Sequence, residues 1–173
     1  ASEIGSKVTI GSIKGNVPDG ASRAQCLQIL GDNLKRISEY AVKRNVIVLL
    51  EATNHFENNV LNTGKDLFEI IEKYDLQNFQ ALMDTFHINI EETSVQTCLR
   101  DAGRYLGHIH FGDNTRTYPG SGAFRYDLFC QSIKDIHYDG VLSVECFPVP
   151  DGRTAAVKTM EFFRKYFGEE HSK

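Results

Sequence analysis

The sequence predicts an α/β fold in which parallel strands alternate with helices along the whole chain. Three observations support this: five apolar runs of strand length recur, a helical pattern follows each run, and no two runs are adjacent. Such alternation is typical of parallel strands joined by right-handed helical crossovers. Because 173 residues can bury one sizeable core, we expect a single domain over residues 1–173.

The first two units have the clearest helical signals. The apolar run at residues 8–13 leads to a pattern at residues 22–44, in which apolar side chains recur at three- and four-residue spacing. The second run is residues 46–51, and Thr63 is a suitable cap for the helix that follows it. Leu67 begins the apolar face of that helix.

The remaining three units repeat the same order. The predicted strand and helix pairs lie at residues 79–84 and 93–103, at 105–110 and 126–136, and at 141–145 and 153–167. A glycine-rich G-x-G-x-x-G string does not follow the first run, which counts against a dinucleotide-binding fold. An eight-stranded barrel normally needs about 250 residues. A parallel sheet can be open or closed; in a TIM (β/α)8 barrel type fold, this chain would cover about the last five βα units and lack the N-terminal strands.

Composition and charge exclude several functional classes. The formal net charge is −4, so the chain has no electrostatic attraction to a phosphate backbone, and we expect no nucleic-acid partner. No apolar run approaches the roughly 20 residues that span a bilayer, and the first residues lack a signal-peptide pattern. Cys26, Cys98, Cys130 and Cys146 form no C-x-x-C pair. We expect buried, reduced thiols and a cytoplasmic location without a membrane partner.

Four successive apolar runs end in a residue that can bind a metal ion: Glu51, Asp84, His110 and Glu145. The carboxyl ends of parallel strands meet at one edge of the sheet or barrel, so these side chains should converge. Three carboxylates and one imidazole suit one divalent ion such as Mn²⁺, Mg²⁺ or Co²⁺, and would also accept zinc. The alternative is a set of unrelated helix caps and surface charges.

Polar residues follow three of these strand ends closely. Glu57, His87 and Arg116 offer a carboxylate, an imidazole and a guanidinium around the same rim, as a polyhydroxylated substrate requires. Taken singly, Arg116 could be a surface charge and His87 a buried histidine with satisfied hydrogen bonds. We interpret His108, one layer below the fourth strand end, as a packing residue, and Lys14, in the turn after the first run, as a surface lysine.

Several strings in this chain match a known family. They are EATNHFE at residues 51–57, LMDTFHINIEE at 82–92, GHIHFGDNTR at 107–116, YPGSG at 118–122 and YDGVLSVECF at 138–147. Together they resemble the ketose 3-epimerases, which are the D-tagatose and D-psicose 3-epimerases of the xylose-isomerase-like TIM-barrel superfamily. The resemblance extends from about residue 46 to residue 147.

The resemblance implies roles for seven residues. It implies metal ligands at Glu51, Asp84, His110 and Glu145, an acid/base pair at Glu51 and Glu145, and substrate contacts at Glu57, His87 and Arg116. The implied activity is a sugar epimerisation or isomerisation on a ketose, by metal-assisted proton transfer through an enediolate. Two positions depart from the family: His55 replaces a common Arg, and residues 112–116 read Gly-Asp-Asn-Thr-Arg instead of G-E-x-N-R. The latter string is similar to that of general sugar and sugar-phosphate isomerases.

Two other functions remain open from the sequence. One is a different metal-dependent barrel enzyme, either an inositol-derivative dehydratase or isomerase, or an endonuclease-like hydrolase. Six histidines and an acidic balance disfavour a multi-zinc endonuclease. The other is a non-catalytic barrel fragment. Because strands buried on both faces do not tolerate open edges, we also expect a homo-oligomer, with a small-molecule sugar as the ligand.

Overall fold

A computed structural model describes residues 1–168 of the chain, in which five strands are each followed by at least one α-helix. The strands are β1 (Val8–Ile10), β2 (Val48–Ala52), β3 (Phe79–Asp84), β4 (Leu106–Phe111) and β5 (Val141–Val144). The helices are α1 (Arg23–Val42), α2 (Gly64–Lys73), α3 (Thr85–Glu91), α4 (Cys98–Asp101), α5 (Tyr126–Asp135) and α6 (Gly152–Phe167). Short 3-10 helices lie at Ser2–Ile4, Ser12–Lys14 and Gly103–Tyr105. Within the described residues, no helix is long and apolar enough to cross a membrane.

All five strands form one parallel sheet whose spatial order is the sequence order, β1-β2-β3-β4-β5. A doubly wound sheet would reverse its strand order at a switch point, whereas the wall of an α/β barrel runs in sequence order. The predicted α/β barrel-type fold with five consecutive βα units is therefore confirmed. Strand pairing aligns the carboxyl ends, and Asp84 is paired with His110 across β3 and β4.

The core lies between the sheet and the helices. Successive residues of a strand point to opposite faces, so Leu50 and Met83 join the core while Glu51 and Asp84 face the other side. Phe111, at the end of β4, contacts aromatic rings of α5 and α6. This packing holds the strands in register and presents the polar strand ends at one edge.

Side-chain caps fix where the first helices begin. The Ser22 hydroxyl accepts a hydrogen bond from the backbone amide of Gln25 at the start of α1. Thr63 caps α2 as predicted, and Asp66 completes a capping box by accepting from the Thr63 backbone amide. Each cap satisfies amides that the first helical turn leaves unpaired.

The segment between β3 and β4 differs from the sequence prediction. The helix expected near residues 93–103 is wrong in extent, since α4 has only four residues, Cys98–Asp101. A second helix, α3, begins directly after β3 and was not predicted. Asp84 accounts for this, because its Oδ1 accepts a hydrogen bond of 2.8 Å from the Phe86 amide and so caps α3.

The first strand is also shorter than its apolar run. It ends at Ile10 because Gly11 leaves the extended region, with φ −108° and ψ −111°, and Ser12–Lys14 forms a 3-10 turn. This turn brings the loop after β1 against the end of β2.

Candidate metal centre

Four strand-end side chains meet at the carboxyl edge of the sheet. Glu51, Asp84, His110 and Glu145 each offer one oxygen or nitrogen atom, and these atoms all lie within 4.8 Å of one another. Glu51, Asp84 and His110 belong to β2, β3 and β4, and Glu145 directly follows β5. The side chains thus converge as the strand ends predict, and their role as metal ligands stays a prediction.

Glu51 carries the clearest sign that this cluster fits a cation. The residue is buried, and its Oε1 has no hydrogen-bond partner among residues 1–168. Burial, together with the nearby charges of Asp84 and Glu145, raises the pKa of Glu51 to about 7. A buried carboxylate oxygen without a partner costs free energy, and a bound cation would remove that cost. The donor set therefore fits one divalent ion.

Gly11 leaves the space that the Glu51 carboxylate occupies. A Cβ atom built on Gly11 would lie 2.5 Å from Glu51 Oε2, closer than such atoms approach. A side chain at this position would therefore displace the Glu51 carboxylate from its present place. The glycine at the end of β1 thus contributes to the geometry of the cluster.

Asp84 is fully buried and accepts hydrogen bonds on both carboxylate oxygens. Oδ1 accepts from the Phe86 amide at 2.8 Å, and Oδ2 accepts from Arg116 Nη1 at 2.7 Å. Burial raises the pKa of Asp84 to about 6, although the Arg116 charge and the Phe86 amide oppose the shift. The carboxylate is therefore fixed in orientation before any ligand binds.

His110 and Glu145 form the shortest contact of the cluster. His110 Nδ1 lies 2.7 Å from Glu145 Oε2 and 3.8 Å from Asp84 Oδ2. The hydrogen bond from His110 lowers the pKa of Glu145 to about 2. Burial opposes protonation of His110, but the bond to Glu145 and the nearby carboxylates outweigh it and raise the pKa of the imidazole.

The three residues expected to contact substrate surround this cluster. Asn54 links two of them: its Nδ2 donates to Glu57 Oε1 at 3.0 Å and lies 2.8 Å from His87 Nδ1, which also accepts from the Asn54 amide at 3.3 Å. These bonds assign the proton of His87 to Nε2, which lies 3.9 Å from Glu51 Oε1. Burial lowers the pKa of His87 to about 4, so the ring is a neutral donor. Asn54 is not among the site residues predicted from the sequence, although its position between Glu51 and Glu57 places it at this edge.

Arg116 spans two of the carboxylates. Its Nη1 donates to Asp84, its Nη2 lies 3.1 Å from Glu145 Oε2, and the guanidinium stacks over the Phe86 ring at 4.7 Å. The backbone of Arg116 has φ +59°, a left-handed conformation that costs free energy in a residue with a side chain. Arg116 is thus part of the cluster and not an isolated surface charge.

Lys14 and His108 lie close to the cluster. The interpretation of Lys14 as a surface residue is wrong: Lys14 is buried, and its Nζ donates to the Glu51 carbonyl oxygen at 3.1 Å. Burial lowers the pKa of Lys14 to about 8, against the opposing charges of Glu51 and Glu57. His108 Nε2 lies 2.8 Å from Ser143 Oγ, and its ring contacts His110 edge-on at 5.0 Å. These contacts of His108 fit a packing role.

Comparison with known proteins identifies relatives of this chain. The family model for the xylose isomerase-like TIM barrel matches residues 1–166. The chain is 33% identical over 120 residues to D-psicose 3-epimerase of Enterocloster bolteae, covering 69% of this chain and 40% of that protein. It is 31% identical over 133 residues to L-ribulose 3-epimerase of a Methylomonas species, covering 77% of this chain and 46% of that protein.

Solved structures give the same fold. A crystal structure of D-psicose 3-epimerase in the presence of D-fructose superposes with a TM-score of 0.82 and 25% identity, covering 93% of this chain and 65% of that one. The chain spans about 40% to 46% of the length of these curated relatives. Because the family model matches nearly the whole chain, this protein belongs to the xylose isomerase-like TIM barrel family.

Proposed function

We propose that this protein is a divalent-metal-dependent epimerase or isomerase of a ketose, which works by proton transfer through an enediolate. The observation that supports this most is the convergence of three carboxylates and one imidazole, with the buried Oε1 of Glu51 left without a partner. The names of the relatives, D-psicose 3-epimerase and L-ribulose 3-epimerase, support the same class of reaction. A role in carbohydrate metabolism follows from this activity.

Glu51, Asp84, His110 and Glu145 would hold one divalent ion. Their oxygen-rich set suits manganese, magnesium or cobalt, and we propose manganese as the first ion to test. When bound, such an ion would polarise the carbonyl of the sugar and acidify the neighbouring carbon-bound proton.

Glu51 and Glu145 would act as the acid/base pair. Glu51 lies on β2 and Glu145 directly follows β5, and these two strands are not neighbours in the sheet. One carboxylate would remove the proton from the sugar carbon, and the other would return a proton to the opposite face, which inverts that carbon. The configuration of the substrate would decide which residue acts as the base.

Glu57, His87 and Arg116 would bind the sugar around this pair. His87 Nε2 is a neutral donor beside Glu51, and Glu57 accepts hydrogen bonds from groups at the rim. Arg116 would donate to an oxygen of the substrate while its bond to Asp84 fixes the guanidinium.

The direct test is turnover with a panel of ketoses and ketose phosphates, D-psicose and L-ribulose among them. We expect epimer formation with Mn²⁺, none after chelation, and recovery on addition of metal. In D₂O the product should carry deuterium at the inverted carbon, because the returned proton exchanges with solvent. Turnover without deuterium, or no turnover of any ketose by metal-loaded protein, would reject the proposal.

The proposal also covers the cellular location and the oligomeric state of the protein. The four cysteines are unpaired, which is typical of a reducing compartment, and we propose a cytoplasmic location. We also propose a homo-oligomer in which a second copy covers the open edges of the sheet.

A further inference from the structure

A buried hydrogen-bond network joins the loop after β1 to the loop after β2. The first loop contains Lys14, and the second contains Thr53, Glu57 and Asn58. Lys14, Thr53 and Asn58 are at most 9% exposed. Since Glu57 belongs to the same segment, whatever holds this loop also determines where the Glu57 carboxylate lies.

Lys14 is the centre of this network. Its Nζ donates to Thr53 Oγ1 at 2.6 Å and to the Glu51 carbonyl oxygen at 3.1 Å, and it lies 3.4 Å from both the Gly11 carbonyl oxygen and Asn58 Oδ1. All four acceptors are uncharged. An ammonium has three donors, so the buried charge of Lys14 is fully satisfied by hydrogen bonds to the two loops.

Asn58, in the loop after β2, also binds the loop after β1. Its Nδ2 donates to the Ser12 carbonyl oxygen at 3.2 Å and to the Gly15 carbonyl oxygen at 3.0 Å, and its Oδ1 accepts from Thr53 Oγ1 at 3.0 Å. Ser12 Oγ lies 3.4 Å from Glu57 Oε2. The side chain next to Glu57 in sequence is therefore fixed by the loop that carries Lys14.

Strand β2, which precedes this loop, is held by pairing with its neighbouring strands. β2 pairs with β1 on one side and with β3 on the other, so the position of Glu51 depends on the sheet. Residues 53–58 lie beyond the paired part of β2. Loss of the Lys14 ammonium would remove the hydrogen bonds that it donates to the Glu51 carbonyl oxygen and to the side-chain oxygens of Thr53 and Asn58, and would loosen the loop more than the strand.

We propose that Lys14 is a positioning residue that holds the loop at residues 53–58, and with it Glu57, in the arrangement that receives the sugar. This inference rests on the proposed function for the role of Glu57 as a substrate contact. Lys14 would thus affect substrate binding through the position of Glu57. The candidate metal ligands, in contrast, are held in place by the strands.

The test compares Lys14→Met, which keeps the aliphatic stem, with Lys14→Arg and with Lys65→Met as the matched control. Lys65 is an exposed lysine of α2. In Lys14→Met, amide hydrogen exchange at residues 54–58 should accelerate about tenfold, while exchange in β2 and β3 stays unchanged. The KM for the ketose should rise about tenfold, with kcat and the Mn²⁺ dissociation constant within about threefold. Lys14→Arg should restore part of the loss, and Lys65→Met should match the wild type.

Thr53→Val provides a second variant if Lys14→Met does not fold. It removes the closest acceptor of Lys14 at nearly constant volume and should accelerate exchange at residues 54–58 in the same way. Unchanged exchange in a folded variant, or equal acceleration across the whole sheet, would overturn the inference. If the wild type turns over no ketose, the proposed function fails, and the exchange data alone decide whether Lys14 positions the loop.

Discussion

The carboxylates of Glu51 and Glu145 lie in the same cluster but differ in burial and in hydrogen bonding. Glu51 is buried at the end of β2, where burial and the neighbouring carboxylates raise its pKa to about 7. Glu145 is half exposed after β5, where the hydrogen bond from His110 lowers its pKa to about 2. Two carboxylates whose pKa values are pushed apart can divide the tasks of acid and base.

Glutamine at either position should stop the reaction. An amide fills the same space but cannot accept the proton, so we expect Glu145→Gln and Glu51→Gln to lower kcat by at least about a hundredfold. Circular dichroism should show an intact fold in both variants. Glu161→Gln, the same change at an exposed site of α6, is the control and should keep full activity. Near-normal turnover in either active-site variant would exclude the two-carboxylate mechanism.

The effect of Mn²⁺ on stability should depend on pH. Burial raises the pKa of Glu51 to about 7 in the folded, metal-free protein, whereas in the unfolded chain this carboxyl has its ordinary pKa of 4.5. The free energy of unfolding of the metal-free protein therefore receives its full contribution from Glu51 below pH 4.5 and loses it as the pH rises through about 7. Because Mn²⁺ would bind the ionised form of this carboxylate, we expect it to raise Tm more at about pH 8 than at about pH 5.5.

Thermal unfolding with and without Mn²⁺ at the two pH values measures this difference. Glu51→Gln is the control, because it removes both the titrating group and one ligand, and should show a small Tm shift at either pH. An equal Tm shift at both pH values in the wild type would contradict a role for the Glu51 carboxylate in binding the ion.

At the scale of elements, the loop between β4 and α5 orients Arg116. Asp113 is fully buried and accepts hydrogen bonds from the backbone amides of Asn114 at 2.8 Å, Gly120 at 2.9 Å and Phe124 at 3.2 Å. Its carbonyl oxygen accepts from the Arg116 amide at 2.8 Å. One side chain therefore fixes the turn that gives Arg116 its left-handed backbone.

Replacing Asp113 by Asn should weaken this loop. The amide has one acceptor oxygen in place of two, so we expect the free energy of unfolding to fall by about 1–3 kcal/mol. Because Arg116 would lose its fixed position, the KM for the ketose should rise while the Mn²⁺ affinity changes little. Urea unfolding measures the stability, initial rates measure the KM and calorimetry measures the Mn²⁺ affinity, with Asp139→Asn at an exposed position as the control. A variant as stable as the wild type would show that the loop does not depend on this carboxylate.

The sequence predicted most of the strands and helices but missed helix α3 and the burial of Lys14. The local sequence pattern located β3 with its correct bounds from an apolar run and Thr63 as the cap of α2 from its residue type, since both signals lie within a few residues. It missed α3, because a helix of seven residues shows less than two turns of periodicity and its cap, Asp84, is also the last residue of a strand. The burial of Lys14 depends on the loop after β2 closing over it, a contact between residues 37 or more apart that no local pattern contains.

At the scale of the whole molecule, the sheet has two open edges within the described residues. β1 pairs with β2 alone and β5 with β4 alone, and Val8 and Val141 on these edges are 43% and 49% exposed. Open parallel edges expose unpaired backbone groups and apolar side chains that favour association. The edges are thus the surfaces through which we expect copies of the chain to meet.

Sedimentation velocity at several protein concentrations tests this expectation. We expect a homo-oligomer, and we expect Val141→Lys to shift the distribution toward monomer, because a lysine on an edge strand opposes pairing. Lys134→Arg, a charge-conserving change on α5, is the control. A stable monomer at all concentrations would contradict the proposal that a second copy covers the open edges.

The proposed metal centre is tested most directly by anomalous scattering from a crystal grown with Mn²⁺ and measured at the manganese absorption edge. We expect one anomalous peak per chain, with side-chain atoms of Glu51, Asp84, His110 and Glu145 at about 2.0–2.4 Å from it. A peak elsewhere on the protein, or none at a Mn²⁺ concentration that saturates binding in solution, would contradict the assignment of these four residues as a metal centre.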